Sequence, residues 1–199
     1  MGAGGHAKVV IATARAAGFA VRGVVDDDVT RHGAALLGVP ITGPARDVLR
    51  DPDAHAVLAI GDNRTRHRLA GDARCRFATV VHPGAILDPS VRLGPGTVVF
   101  AGAVIQPDTT IGAHVIVNTG ASIDHDGRLD DFVHIAPGVR LAGNVSLDTG
   151  AFLGIASAAI PGVRIGAWTT VGAGAAVIKD LPAGVIAAGV PARVLRSAR

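Results

Sequence analysis

The chain has 199 residues, of which 49% are hydrophobic, 3% aromatic and 18% charged, with 27 glycines and a formal net charge of +3. Such a composition suits a core of thin aliphatic layers joined by tight corners and excludes a disordered chain. The arginines are scattered, with neither a basic run nor aromatic partners, which argues against nucleic-acid binding; the single Cys75 excludes an intrachain disulfide or a cysteine metal cluster.

Taken in order, Gly2-Ala3-Gly4-Gly5-His6 reads as a glycine turn opening an alanine-rich helix that runs to Ala17 and stops at Gly18. Unpaired N–H groups and the helix dipole at such a turn suit an anion, although a plain tight turn explains the glycines as well. Val21 to Asp28 reads as a strand ending in Asp26 and Asp27. Pro44 can start a short helix through Leu49, which Asp51-Pro52 ends. His55 to Ile60 is a buried strand, Gly61-Asp62-Asn63 opens a helix carrying Arg64, Arg66 and Arg68, and Arg76 to Val81 is a last strand.

This alternation predicts a small parallel α/β unit. Its ligand site is expected beyond the carboxyl ends of the strands, where Gly4, Gly5, His6, Asp26, Asp27, Gly61 and Asn63 would converge. A phosphate-binding glycine turn normally follows a strand, and only Met1 precedes this one. Either the natural chain starts upstream, or the small sheet closes differently and holds its ligand poorly. The N-terminus has no signal-peptide pattern and no apolar run reaches bilayer length, so a cytoplasmic protein is expected.

From Val81 onward every sixth residue is aliphatic: Val81, Leu87, Leu93, Val99, Ile105, Ile111, Val117 and so on to Val177, with only Ala159 reduced. A fixed short period over about a hundred residues marks a solenoid, whose repeats bury their apolar side chains only by stacking. Six is neither a helical period nor a strand alternation; it fits a three-sided parallel β-coil in which residues eighteen apart form columns. Val133, Val139 and Ile155 are expected as exposed apolar positions that favour association.

Polar residues are scarce in the repeat, so Asn118, Asp124-His125-Asp126 and His134 stand out. The column rule puts His125 between Pro107 and Gly143. A histidine flanked by acids is made more basic and is held in one orientation, as a general base requires, and the Gly143 N–H is open to a developing oxyanion. A solvated turn is the bland alternative. Ala136, Gly154 and Gly172 form a column almost without side chains, with Ile155 and Ala173 beside it. That strip is either a track for a pantetheine arm or a close-packed contact with another subunit.

The hexads and the closing Gly189-Val190-Pro191-Ala192-Arg193 resemble the hexapeptide-repeat acyltransferases. Gly2 to Ala7, Asp26-Asp27, Ile60 to Asn63, Asn118-Thr119, His125-Asp126, Asp131 to Ile135, Ala142 to Asn144 and Phe152 to Gly154 resemble one group of them. That group comprises the sugar acetyltransferases of the sialic acid O-acetyltransferase and bacillosamine-pathway type. The resemblance implies an α/β, Rossmann-like nucleotide-binding domain over 1–78, a left-handed parallel β-helix over 79–182 and a C-terminal cap or tail over 183–199.

It also implies acetyl-CoA as co-substrate, a nucleotide-activated amino sugar as acceptor and a homotrimer, with no metal. His125 would be the general base, made more basic by Asp126. His134, Ile155 and Ala173, with Gly172 beside them, would contact acetyl-CoA. Gly4, Gly5, His6, Asp26 and Asp27 would contact the sugar nucleotide, with Gly61, Asn63 and Asn118 as further substrate contacts. O-acetylation of sialic acid or another polysaccharide sugar is the alternative. A γ-type zinc carbonic anhydrase using His114, His125 and His134, and a non-catalytic scaffold, are rivals of other classes.

Overall fold

In the computed structural model, which describes residues 1–198, each hexad supplies a two-residue strand and a turn. Strands eighteen residues apart pair in parallel: Ile116 with His134 and His134 with Phe152 on one face, Ser122 with Arg140 on the next, Arg128 with Ser146 on the third. The described residues thus build a parallel β-helix with three faces. The first face starts at Val80–Val81, the second at Ile86–Leu87 and the third at Arg92–Leu93.

Two side chains per hexad point inward. Ile135 and Val133 are both 0% exposed, as are Val139 and Val145. This corrects the expectation that Val133 and Val139 lie on the surface: residues i and i+2 of an extended chain share a side, so the small residue before each aliphatic one is also buried. Of the three positions only Ile155, at a corner tip, is exposed, at 53%.

The corners require left-handed backbone, and the sequence supplies it unevenly. On the corner between the second and third faces it falls on Asp108, Asp126 and Asn144, residue types that tolerate φ near +58°. Between the third and first faces it falls on Gly96, His114, Phe132, Gly150 and Trp168. There the aromatic rings pack on one another, His114 lying parallel to Phe132 at 5.0 Å between centroids.

The outward side of the first face is apolar where the N-terminal part covers it. Ala7, Val10 and Ala14 of helix α1 (Gly5–Ala16) pack on Val80, Val98, Phe100 and Ile116. The equivalent outward positions of the uncovered third face are Arg92, Thr110 and Arg128. Strands β1 (Val24–Val25), β2 (Ala35–Leu36) and β3 (Val39–Thr42) form a small sheet in the order β1-β3-β2, with β1 parallel to β3. Helix α2 (Ala45–Leu49) follows, and then β4 (His55–Ala56).

Helix α3 (Asn63–Gly71) leads to β5 (Arg76–Phe77), which runs parallel to β4. The strand expected over Arg76 to Val81 is therefore split, its second half Val80–Val81 pairing with Val98–Val99 of the first coil.

The slot between β1 and β4 is bridged by Met1–Ala3. Gly2 N–H donates to the Val25 carbonyl at 2.8 Å, and the Met1 carbonyl accepts from Ala59 N–H at 2.7 Å. The sheets β1-β3-β2 and β4-β5 remain separate and are joined by these bonds, and a cavity of about 790 Å³ lined by Met1, Val24, Ala56 and Val80 lies between β1 and β4. Met1 and Gly2 supply the backbone bonds across the gap, while the Ala3 N–H donates to the Asp26 side chain.

Helix α3 is tied to the coils by a ladder of carbonyls. Arg66 Nε donates to His114 O at 3.2 Å and Arg66 Nη2 to Phe132 O at 2.9 Å, while Asn63 Nδ2 donates to Gly150 O at 3.0 Å. The three acceptors sit one above another on the third–first corner, each at a left-handed residue. At the far end Val185–Ala188 extends the first face beside Thr170–Val171 and pairs antiparallel with Arg193–Ser197, burying Ala187 and Ala192 on the core. Of the stretch 183–199, expected as a cap or tail, residues up to 198 are described. Among the described residues no helix is long and apolar enough to cross a membrane.

Candidate active site

His125 stands on the second–third corner with about half of its side chain exposed. Its Nδ1 lies 2.8 Å from Asp126 Oδ2, and its N–H donates to Asp124 Oδ1 at 2.8 Å. A carboxylate can only accept, so Nδ1 carries the proton and Nε2 is left as the free basic nitrogen. The hydrogen bond to Asp126 raises the imidazole above the ordinary histidine range, with Asp124 assisting and slight desolvation opposing.

The ring rests on Gly143 of the next coil, where a Cβ would lie 2.5 Å from Cε1 and Nε2. The Gly143 N–H makes no hydrogen bond among the described residues. A base and an unpaired donor are therefore neighbours, which is the pairing that proton abstraction with charge stabilisation requires.

A second group lies on the first face, under α1. His134 is buried; its Nδ1 is 3.1 Å from the Gly61 carbonyl and its Nε2 3.4 Å from Asn118 Nδ2. The carbonyl fixes the proton on Nδ1, leaving Nε2 as an acceptor. His6 is 6.2 Å from His134 between centroids, and its Nε2 is buried with no hydrogen-bond partner among the described residues. Burial first and the Arg66 cation second hold His6 down to about 4 and His134 to about 3, so both rings are neutral at pH 7. Neither can hold a positive charge for an anion; both offer neutral hydrogen bonds.

The glycine turn beside them is open. Gly4 caps α1 without a side-chain bond, the first turn carries no acid, and a Cβ on Gly4 or Gly5 would meet nothing within 4 Å. Its N–H groups are thus available to a phosphate. Asp26 braces the turn, accepting from Ala3 N–H at 2.6 Å and Asp28 N–H at 2.9 Å. Asp27 points elsewhere, accepting from Ala45 N–H at the start of α2.

Asn63 also departs from the expected convergence: it is buried, with its amide turned to Gly150 and Ala151 of the coils, because Asn63 and Arg66, three residues apart, share the helix face that docks there. Arg31, which no sequence signal marks, places Nη1 2.8 Å from the Ala3 carbonyl and so brings a cation to the turn. Its place depends on the short 3-10 turn Val29–Arg31, which carries no periodic signal.

The column of small residues is not an open track. At Gly154 a Cβ would meet Ala173 N at 2.6 Å, and at Gly172 it would meet the Ala188 Cβ at 2.8 Å. The missing side chains are filled by the next coil and by the cap, so the column serves coil packing. The exposed strip is its outer neighbour, Ile155 and Ala173. His114, weighed as a metal ligand, is packed against Phe77 and Phe132.

Within one chain the site residues fall into separate groups. His125 and Gly143 occupy the second–third corner; Asn118, His134 and His6 lie at the first face, His134 half an eighteen-residue circuit from His125.

Residues 1–73 match the family described as the PglD N-terminal domain. Over 98% of this chain and 94% of theirs, the fold superposes on GDP-perosamine N-acetyltransferase from Caulobacter crescentus, solved with CoA and GDP-perosamine, at TM-score 0.91 and 47% identity. The chain belongs to the hexapeptide-repeat nucleotide-sugar acetyltransferases.

The acetyltransferase domain of PglB from Neisseria gonorrhoeae, solved with acetyl coenzyme A, shares this family fold at TM-score 0.90 and 37% identity over 98% of this chain and 96% of that one. Curated relatives include a 2,3,4,5-tetrahydropyridine-2,6-dicarboxylate N-acetyltransferase of Clostridium perfringens, 34% identical over 73 residues. That match covers 33% of this chain and 31% of the relative, so it spans about a third of the curated relatives' length.

Proposed function

We propose that this chain transfers an acetyl group from acetyl-CoA to the 4-amino group of a nucleotide-activated sugar, with His125 as general base. The observation that carries the reading is the Asp126-paired imidazole of His125 lying on Gly143, beside an unpaired N–H. The amine nitrogen attacks the thioester carbonyl while His125 Nε2 takes its proton. The carbonyl oxygen becomes an oxyanion, met by the Gly143 N–H. Collapse breaks the C–S bond, and the His125 imidazolium returns the proton to the leaving thiolate, giving an N-acetylated sugar and free CoA.

The two groups of residues are proposed to meet in a homotrimer. His125, Asp126 and Gly143 of one copy would face Asn118, His134 and His6 of a neighbour, with acetyl-CoA along Ile155 and Ala173 between them. Gly4, Gly5 and His6 would receive the nucleotide diphosphate, with Asp26 bracing the turn and Arg31 adding charge; Gly61 acts through His134. The reading divides the chain into a Rossmann-like unit over 1–78, a left-handed β-helix over 79–182 and a cap over 183–199, working in the cytoplasm. The test is release of CoA thiol from acetyl-CoA in the presence of UDP-, GDP- and dTDP-linked 4-amino sugars, with the matching 4-hydroxy sugars and free sialic acid as controls.

A further inference from the structure

Arg66 is a fully buried charge, 1% exposed, with no carboxylate partner among the described residues. Its guanidinium donates only to backbone carbonyls. Nε and Nη2 reach His114 and Phe132 on successive coils, while Nη1 reaches Ile60 and Gly61 at 3.0 Å each. Burial brings it down to about 10, with nearby Asp62 opposing, so it remains charged at neutral pH. A buried cation that only held a helix in place would be replaceable by apolar packing, and burying it has a cost. Its placement suggests a further use.

The Gly61 carbonyl is shared: Arg66 donates to it from one side and His134 Nδ1 from the other, at 3.1 Å. We propose that Arg66 is a positioning residue for acetyl transfer, clamping the Gly61 carbonyl so that His134 is locked as its neutral Nδ1–H tautomer with the Nε2 lone pair turned toward Asn118. The planar fork explains why arginine stands here: one side chain spans two coil corners and the loop that carries Gly61, which a lysine ammonium cannot do with comparable geometry. The charge acts in the same direction, since a cation beside His134 and His6 opposes protonation of either ring.

This inference rests on the acetyltransferase reading only for its kinetic consequence. The tautomer is measured directly in the unaltered protein by ¹⁵N NMR of labelled histidine. His134 is expected to keep a protonated Nδ1 and an unprotonated Nε2 from pH 8 to pH 5. A protonated Nε2, or titration within that range, would overturn the proposal whatever the enzyme's activity.

The kinetic arm is a double-mutant cycle of Arg66→Lys and His134→Asn at saturating acetyl-CoA. Each single change is expected to lower kcat about 10- to 100-fold, as loss of an orienting partner does. The double variant should then be no worse than the more impaired single one. Multiplying losses would show that Arg66 acts only through the fold. Failure of every variant and of the unaltered protein to acetylate any amino sugar would remove the reaction while leaving the tautomer result to stand or fall by itself.

Discussion

The imidazole of His125 lies on the Cα of Gly143, close enough that a methyl group on that glycine would overlap Cε1 and Nε2. Gly143→Ala is therefore expected to tilt the ring from its place while leaving the coil intact, since the clash is with the end of an exposed side chain. A displacement of about 1 Å can cost 10²-fold in rate. Steady-state kinetics should show kcat reduced 10- to 100-fold with the KM for acetyl-CoA changed little and the melting temperature close to that of the parent. Unchanged kcat would mean that the His125–Gly143 stacking has no part in the reaction.

His125→Ala removes the base and is expected to lower kcat by about 10² to 10⁴ in a protein that still folds. The pH profile adds a sign. The neutral form of His125 is the active one, and Asp126 raises its pKa above the usual value. Activity should thus fall on the acid side through a pKa above 6.5, and Asp126→Asn should move that limb to lower pH while reducing the plateau. A limb that stays in place in the Asp126→Asn enzyme would remove Asp126 from its role.

The half-circuit between His125 and His134 makes the proposed trimer testable by mixing. His125→Ala and His134→Asn proteins, each impaired alone, should regain activity above the mean of the two when their subunits are exchanged, because some interfaces then join two intact halves. Light scattering at micromolar concentration should give about three times the chain mass. A monomer, or no recovery after verified exchange, would contradict a site shared between copies.

The repeat was legible because its core is local: an aliphatic residue every six positions can be buried in one way only, and the eighteen-residue columns that place His125 over Gly143 follow from counting. Val133 and Val139 belong to the small or β-branched residues found two before each aliphatic one, and their inward direction follows only from the extended backbone, in which residues i and i+2 share a side. Gly154 and Gly172 were misjudged for a related reason: a missing side chain reads as open space, yet the neighbouring coil or the cap fills it. Asn63 and Arg66 were out of reach. Their partners, the carbonyls of Gly150, His114 and Phe132, are backbone atoms far away in sequence and leave no mark on residue type.

The buried histidines should also make the protein acid-labile. His6 and His114 are held down to about 4 and His134 to about 3, in each case by burial first and the Arg66 cation second. A folded pKa below the unfolded value of about 6.5 gives stability that is complete above pH 6.5 and is lost as pH falls toward 4, since the unfolded chain binds the protons first. Each contributes at most about 1.4 kcal/mol per pH unit in that window. Urea unfolding at pH 7.5, 5.5 and 4.5 should show the loss. His114→Phe, which keeps the stacking on Phe132, should flatten the slope by one proton's worth; an unaltered slope would mean that His114 titrates normally in the folded chain.

The central claim is that this chain acetylates an amine on a nucleotide-activated sugar, and thiol release from acetyl-CoA measures it most directly. With a panel of UDP-, GDP- and dTDP-linked 4-amino sugars, at least one acceptor should give turnover that is abolished by His125→Ala and absent with the matching 4-hydroxy sugar. Turnover with free sialic acid or a 4-hydroxy sugar and none with any 4-amino sugar, or release insensitive to His125→Ala, would contradict it.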